Sequence, residues 1–363
     1  MLKNLSTSEC IRGTWVLGVK CKRISALCGL KVSALSLGTW HLPRLPEKDE
    51  VGAYKIDVEE FRKVLKVAFD NGVFFIDTAN RYHGGMAPVD LRRVGYAERL
   101  LGDLLKEYER QELVIATKVA GRMGPGPNDE GLSRKHVLWQ ISESLRRLNT
   151  DYVDIYYMHR YDPEVPKYEV LRTFDSLVQR GKVLYVGASN VPATELVEFM
   201  ELSERLRVEP ITVLQYKYNI IERDIERDIV PVARRYGLGI AVYSPLAQGV
   251  LTGKYVDLER GKWRVPELSR ASYMRSISET YFTEKNLKFL LRFMEFSRSL
   301  DLTPAQLALA WTVNMEKRLG VTIVPIISVS RLSHLQEAIE AVEVKLSHDD
   351  LKYLDEISRD VVK

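Results

Sequence analysis

Apolar and polar positions alternate in blocks along this chain. Short apolar runs, rich in β-branched and aromatic side chains, are each followed by a longer stretch with helical spacing. The runs predict strands at Ala34–Leu37, Val73–Ile76, Leu113–Thr117, Tyr152–Met158, Val183–Gly187, Thr212–Gln215, Gly239–Tyr243 and Thr322–Ile327. Between them the pattern predicts helices. Val58–Asp70 carries Phe61, Val64, Leu65 and Ala68 on one face and stops at Asn71-Gly72. Ser133–Leu148 opens on a capping serine. Leu91–Glu109, Glu169–Arg180, Pro192–Leu206 and Asp224–Tyr236 follow the same logic, as do Leu287–Ser299, Pro304–Met315, Leu332–Val342 and His348–Ile357. A polar segment, Val256–Thr283, interrupts the alternation after the seventh strand.

Each crossover is too long for a hairpin, and the strands are apolar on both faces, so they run parallel and buried. A doubly wound open sheet competes with a closed (β/α)8 barrel. The barrel is favoured because polar residues end almost every strand, not only those beside one switch point. The expected architecture is thus a TIM barrel with a short N-terminal β-hairpin (Lys20–Arg23 with Leu30–Val32) plugging its far end and an extra C-terminal helix. Residues 1–18 are expected to form a loosely ordered extension, and residues 19–363 a single barrel domain.

The polar strand ends carry candidate chemistry. Phe74-Phe75-Ile76 runs into Asp77, with Tyr82 in the following loop; Lys118 ends the next strand and His159 the one after. In a parallel barrel these ends converge on one mouth. A phenol titrates near pH 10, too high for an efficient donor at neutral pH, and a nearby cation lowers that value. Lys118 is the expected cation, Asp77 its counter-charge, and His159 a group to orient a substrate oxygen. Such a site protonates an oxygen as it gains negative charge. A metal-dependent hydrolase using Asp77 and His159 lacks further ligands, so no metal is expected.

A second set suits a nucleotide. Ser189, Asn190 and Gln215 offer donors and acceptors for a carboxamide, and Tyr243 a face for stacking. Ser244-Pro245-Leu246, Gly249 and Lys254 suit a pyrophosphate, since late barrel strands often carry phosphate sites. No GxGxxG follows the first strand, so any nicotinamide site is of a non-Rossmann kind.

The chain has 363 residues, 28% of them charged, and a net charge of only +4. No basic stripe points to nucleic acid, and no apolar run is long enough to span a bilayer. Cys10, Cys21 and Cys28 fit neither a zinc pattern nor a secreted disulfide framework, which makes the reducing cytoplasm the default location.

From Gly29 onward the motifs resemble the aldo-keto reductase superfamily, and within it the branch of potassium-channel β-subunits and their prokaryotic relatives. They are Gly38-Thr39-Trp40, Asp77 to Tyr82, Thr117-Lys118, Met158-His159-Arg160, Gly187-Ala188-Ser189-Asn190-Val191, Gln215-Tyr216 and Tyr243-Ser244-Pro245-Leu246. The resemblance implies reduction of aldehydes and ketones to alcohols with NADPH, NADH remaining possible. It implies Tyr82 as proton donor, Lys118 and Asp77 as its tuning pair, and His159 as the group that orients the carbonyl. Channel β-subunits of the family have asparagine at that last position, so His159 sides with the catalytic members; an NADP(H)-binding sensor is the alternative. Gly38, Thr39 and Trp40 match the rim near the nicotinamide ribose. Ser244, Leu246, Gln248, Gly249 and Lys254 match the pyrophosphate loop, and Arg270 a segment closing over the phosphates. At the adenosine end the family pattern is replaced by Ser328, Ser330, Arg331, His334 and Glu337, with Ala338 where an asparagine usually holds the adenine. Arg331, Ser330 and His334 are suited to a 2′-phosphate. Substrate choice is expected to lie in the loops around Trp40, Arg81–Asp90, Met123–Gly131, Arg160–Pro166 and Val256–Thr283; the expected partner is a small carbonyl compound, and the oligomeric state is open.

Overall fold

The structure, a computed structural model, describes residues 18–50, 52–83 and 91–362. The expected extension therefore lies outside the described residues, save Gly18. Parallel strands form a closed barrel: β1 (Ser36–Gly38), β2 (Phe75–Asp77), β3 (Val114–Val119), β4 (Val153–Met158), β5 (Val183–Ser189), β6 (Ile211–Lys217), β7 (Gly239–Tyr243) and β8 (Ile323–Ile327). Each strand pairs with the next in sequence, and β8 closes on β1 through Ile326 opposite Ser36 and Ile327 opposite Leu37. The strands are buried almost throughout, as two-sided apolar runs demand.

The crossover helices are α1 (Val58–Asp70), α2 (Tyr96–Leu104), α3 (Arg134–Leu148), α4 (Lys167–Gln179), α5 (Ala193–Leu206) and α6 (Ile229–Tyr236). The last crossover contains α7 (Arg275–Tyr281), α8 (Glu284–Ser299) and α9 (Pro304–Leu319); α10 (Leu332–Ala341) and α11 (His348–Ser358) end the chain. Local signals account for their limits. The Asp57 side chain accepts from the amide of Glu60 to start α1, and Phe61, Val64, Leu65 and Ala68 form its buried stripe. Burying each of the larger three is worth about 1.5–3 kcal/mol. Ser133 caps α3 as expected, and a Thr303/Gln306 capping box with Pro304 opens α9.

Three expectations change. The helix expected over Leu91–Glu109 is broken into a 3₁₀ turn (Leu91–Arg93), α2 and a second 3₁₀ turn (Leu105–Glu107), with Gly95 at φ 74° making the first break. The helix expected from Asp224 begins as a 3₁₀ turn, with α6 proper starting at Ile229. An unexpected antiparallel pair, Arg44–Lys48 with Tyr54–Ile56, projects beyond β1. The N-terminal hairpin forms between Cys21–Arg23 and Lys31–Ser33. It seals the amino-terminal end of the barrel: a Cβ on Gly239, the first residue of β7, would come within 1.6 Å of the Ile24 carbonyl oxygen.

Candidate active site

Because the strands are parallel, their last residues share one rim. Asp77 ends β2, Lys118 is the penultimate residue of β3, His159 directly follows β4, Ser189 ends β5, and Tyr243 ends β7. At the centre lies a buried ion pair. Lys118 Nζ donates to Asp77 Oδ2 at 2.7 Å and to the Thr78 carbonyl at 2.8 Å; the side chains are 0% and 4% exposed. The same ammonium lies 3.2 Å from the Tyr82 hydroxyl. The second Asp77 oxygen accepts from Gln215 Nε2 at 2.7 Å, so β6 braces β2 across the lumen. The Tyr82 ring is held between two edges, Trp40 at 4.8 Å between centroids and His159 at 5.7 Å. Gly187 leaves room for the Tyr157 ring, which a Cβ would meet at 2.3 Å.

The electrostatics depart from the sequence expectation in one respect. Burial pushes the Tyr82 hydroxyl well above the usual phenol value, and the Asp77 carboxylate pushes it further. Lys118 does not offset this, because its charge is matched by Asp77 at shorter range. Burial also lowers Lys118, against the opposing pull of Asp77. The phenol therefore keeps its proton in the resting site. His159 is held at about 3, chiefly by burial and then by Lys118, Arg160 and Arg81, so its imidazole is neutral at physiological pH.

The expected nucleotide residues fall into three groups. The first adjoins the ion pair. Tyr243 donates to Asn190 Oδ1 at 2.9 Å, Asn190 Nδ2 donates to Ser189 Oγ and to the His159 carbonyl, and Thr39 Oγ1 donates to the Asp77 carbonyl. Gly38 serves packing, since a Cβ there would come within 2.8 Å of Ile326 and 3.2 Å of Ser328 Oγ.

The second group is the turn after β7. Ser244, Ala247, Gln248, Gly249 and Gly253 all have positive φ, from 46° to 90°. Left-handed runs of this kind are a backbone geometry from which anion-binding nests are built, and Pro245 and Leu246 sit within the same turn. Lys254 stands over it, with its Nζ 2.9 Å from where a Gly249 Cβ would be. Burial and then Arg270, Arg44 and Arg331 bring Lys254 down to about 8. Arg270 Nη1 donates to Gln248 Oε1 at 2.8 Å. Mutually repelling cations around a nest fit the phosphates of a dinucleotide.

The third group, at the start of α10, is looser. Ser330 and Arg331 are exposed, and Ser330 Oγ lies 3.3 Å from His334 Nδ1. Glu337 is drawn away to Thr303 Oγ1, and Ala338 is buried against the barrel. The Leu332 amide donates to Glu60 of α1 at 3.0 Å, so that amide at the helix start is already engaged.

Residues that sequence reasoning passed over also border the cleft. Arg44, on the unexpected hairpin, packs over the Tyr54 and Tyr273 rings at 4.7 and 5.2 Å and donates to the Leu268 carbonyl, tying that hairpin to the segment carrying Arg270. His41 is buried beneath Trp40 with its Nε2 lacking a hydrogen-bond partner among the described residues. Behind the site, buried Glu98 accepts from Thr117 Oγ1 at 2.6 Å and from Arg147 Nε at 2.7 Å. No group of three or more His, Cys, Asp or Glu side chains suited to a metal occurs among the described residues. No helix among them is long and apolar enough to cross a membrane.

The parallel barrel carries a buried Asp–Lys pair beside a tyrosine hydroxyl, with a turn of positive-φ residues after β7. The chain belongs to the aldo/keto reductase family, whose model matches residues 34–359, and this makes it an oxidoreductase. It is 36% identical to a Schizosaccharomyces pombe protein provisionally named a voltage-gated potassium channel β-subunit, over 91% of this chain and 90% of that one. It is 34% identical to the L-glyceraldehyde 3-phosphate reductase of Escherichia coli O157:H7, over 90% and 89%. A third relative, an Arabidopsis thaliana protein named a probable channel β-subunit, is 33% identical over 87% and 89%.

Proposed function

We propose that this protein is an NADP(H)-dependent carbonyl reductase in which Tyr82 donates the proton. The observation that carries the reading is the Lys118 ammonium, wholly buried, 3.2 Å from the Tyr82 hydroxyl and 2.7 Å from Asp77. When bound, the nicotinamide supplies the hydride that reduces the carbonyl carbon. The chain's own groups manage the oxygen. Neutral His159 hydrogen-bonds it and sets its angle. Tyr82 surrenders its proton as the oxygen becomes alkoxide, which is more basic than a phenolate. Lys118 stabilises the phenolate that results, and Asp77, braced by Gln215, keeps Lys118 in place. Trp40, packed edge-on against the Tyr82 ring, holds the phenol in position.

Ser189, Asn190 and Tyr243 are the expected partners of the nicotinamide, and the nest with Lys254 and Arg270 that of the pyrophosphate. Arg331 with Ser330 and His334 favours the 2′-phosphate of NADPH over NADH. The few cysteines suit a cytoplasmic setting. Titrating NADPH and NADH against intrinsic fluorescence tests the cofactor reading: NADPH should bind at least tenfold tighter, and Arg331→Ala should remove that preference. Tyr82→Phe should lower kcat by about 10²–10⁴ while the NADPH Kd stays within threefold. Unaltered carbonyl reduction by that variant would falsify the mechanism.

The likeness to proteins named as channel β-subunits favours a second reading, a nucleotide-binding sensor. Tight NADPH binding with no turnover across a panel of aldehydes is its signature.

A further inference from the structure

Three arginines crowd the rim opposite the nucleotide turn. Arg81 directly precedes Tyr82, and its stem lies along Gly121, where an added Cβ would meet Arg81 Cδ at 2.7 Å. Arg81 Nε is buried with no hydrogen-bond partner among the described residues. Arg160 directly follows His159 and donates from Nη2 to the Ala120 carbonyl at 3.4 Å. These two side chains thus bracket Ala120-Gly121, the point where the chain leaves β3. Ala120 takes φ 124° there, a strained conformation of the kind that persists at functional sites.

The surrounding acids cancel only part of this charge. Glu130 is shared between Arg122, at 3.2 Å, and Arg160, at 3.3 Å. Asp129 accepts from the Gly126 amide, and Asp162 from the amides of Leu132 and Glu164. Each is turned to backbone. The influences depressing His159 act in one direction, burial first and then Lys118, Arg160 and Arg81, as befits a positive field at the carbonyl position.

Building on the carbonyl-reductase reading, we propose that the substrate is a small aldehyde or ketone carrying an anionic group, gripped by Arg81 and Arg160 beside Ala120-Gly121. Ala120 and Gly121 lie two and three residues beyond Lys118, about 7–10 Å along extended chain. A guanidinium spans part of that distance, so the anion belongs two or three carbons from the carbonyl. Two planar cations suit a phosphate dianion better than a carboxylate.

The test uses the full chain with NADPH and three probes of similar length: glyceraldehyde 3-phosphate, succinic semialdehyde and uncharged glyceraldehyde. The expected order of kcat/KM is phosphate, then carboxylate, then neutral, with about a hundredfold between the extremes. Arg81→Met and Arg160→Met should each raise KM for the phosphorylated probe at least tenfold more than they raise KM for glyceraldehyde. Arg81→Lys should recover part of the loss, and added KCl should raise KM for the charged probes only. NADPH affinity, unchanged in all variants, reports intact folding. A carboxylate preference would keep the anion site and reassign its ligand. Equal kcat/KM for charged and neutral probes, or variants that impair both alike, would overturn the anion site while leaving the reductase reading standing. No turnover of any probe would remove the reductase reading and this proposal together.

Discussion

Replacing Lys118 with methionine keeps the length of the side chain and deletes its charge. In the barrel this leaves the Asp77 carboxylate, 4% exposed, without its cation. Removing one partner of a buried ion pair costs about 3–5 kcal/mol. The lower end applies here, because Asp77 Oδ1 keeps its bond from Gln215 and only Oδ2 is orphaned, together with the Thr78 carbonyl. With a urea m-value of about 3 kcal/mol/M or somewhat more at this chain length, the midpoint should fall by about 1 M. The double variant Lys118→Met/Asp77→Asn removes the stranded charge as well. It should recover at least half of the loss, whatever the activity of either variant. Equilibrium urea unfolding followed by far-ultraviolet circular dichroism reads this directly. A single variant within 0.5 kcal/mol of the native protein, or a double variant no more stable than the single, would refute the view that the pair is dry and tightly coupled.

Two further predictions concern pH. Lys254 sits at about 8 before any anion binds, so above that pH the ligand-free lysine is neutral and cofactor binding must take up a proton. The Kd for NADPH should therefore rise by up to tenfold per unit between pH 8 and 10, and be flat for Lys254→Met; a flat native profile would contradict the assignment. His159 is neutral down to about pH 3, so kcat should show no limb between pH 5 and 8 that disappears in His159→Gln.

The barrel was legible because its strands are buried on both faces: such runs stand out from amphipathic helices by length and composition alone. Val58–Asp70 and Gly239–Tyr243 match their sequence limits. Other elements left weaker traces. The pair Arg44–Lys48 and Tyr54–Ile56 is mostly exposed and contains Pro46, so neither alternation nor apolar content marks it. The residues of the central site were readable as strand-end polar groups, and so was the Asp77–Lys118–Tyr82 contact, but the brace from Gln215 was not. Gln215 and Asp77 are 138 residues apart, and only closure of the barrel makes them neighbours. The direction of the Tyr82 shift was missed for a related reason. Sequence supplies a lysine near a phenol, yet the sign depends on how deeply both are buried and on whether a carboxylate has already matched the cation.

The seam between β8 and β1 links positions 290 apart, Ile326 and Ser36. Ribosomal synthesis delivers β1 first and β8 nearly last. Until Ile327 has emerged, every nascent chain displays two unsatisfied ladders, one on β1 and one on β7, each a template for adhesion to other polypeptides. Shortened versions ending before that residue should precipitate rather than persist as smaller reductases, a fate that sedimentation of a product stopped at Leu319 would reveal.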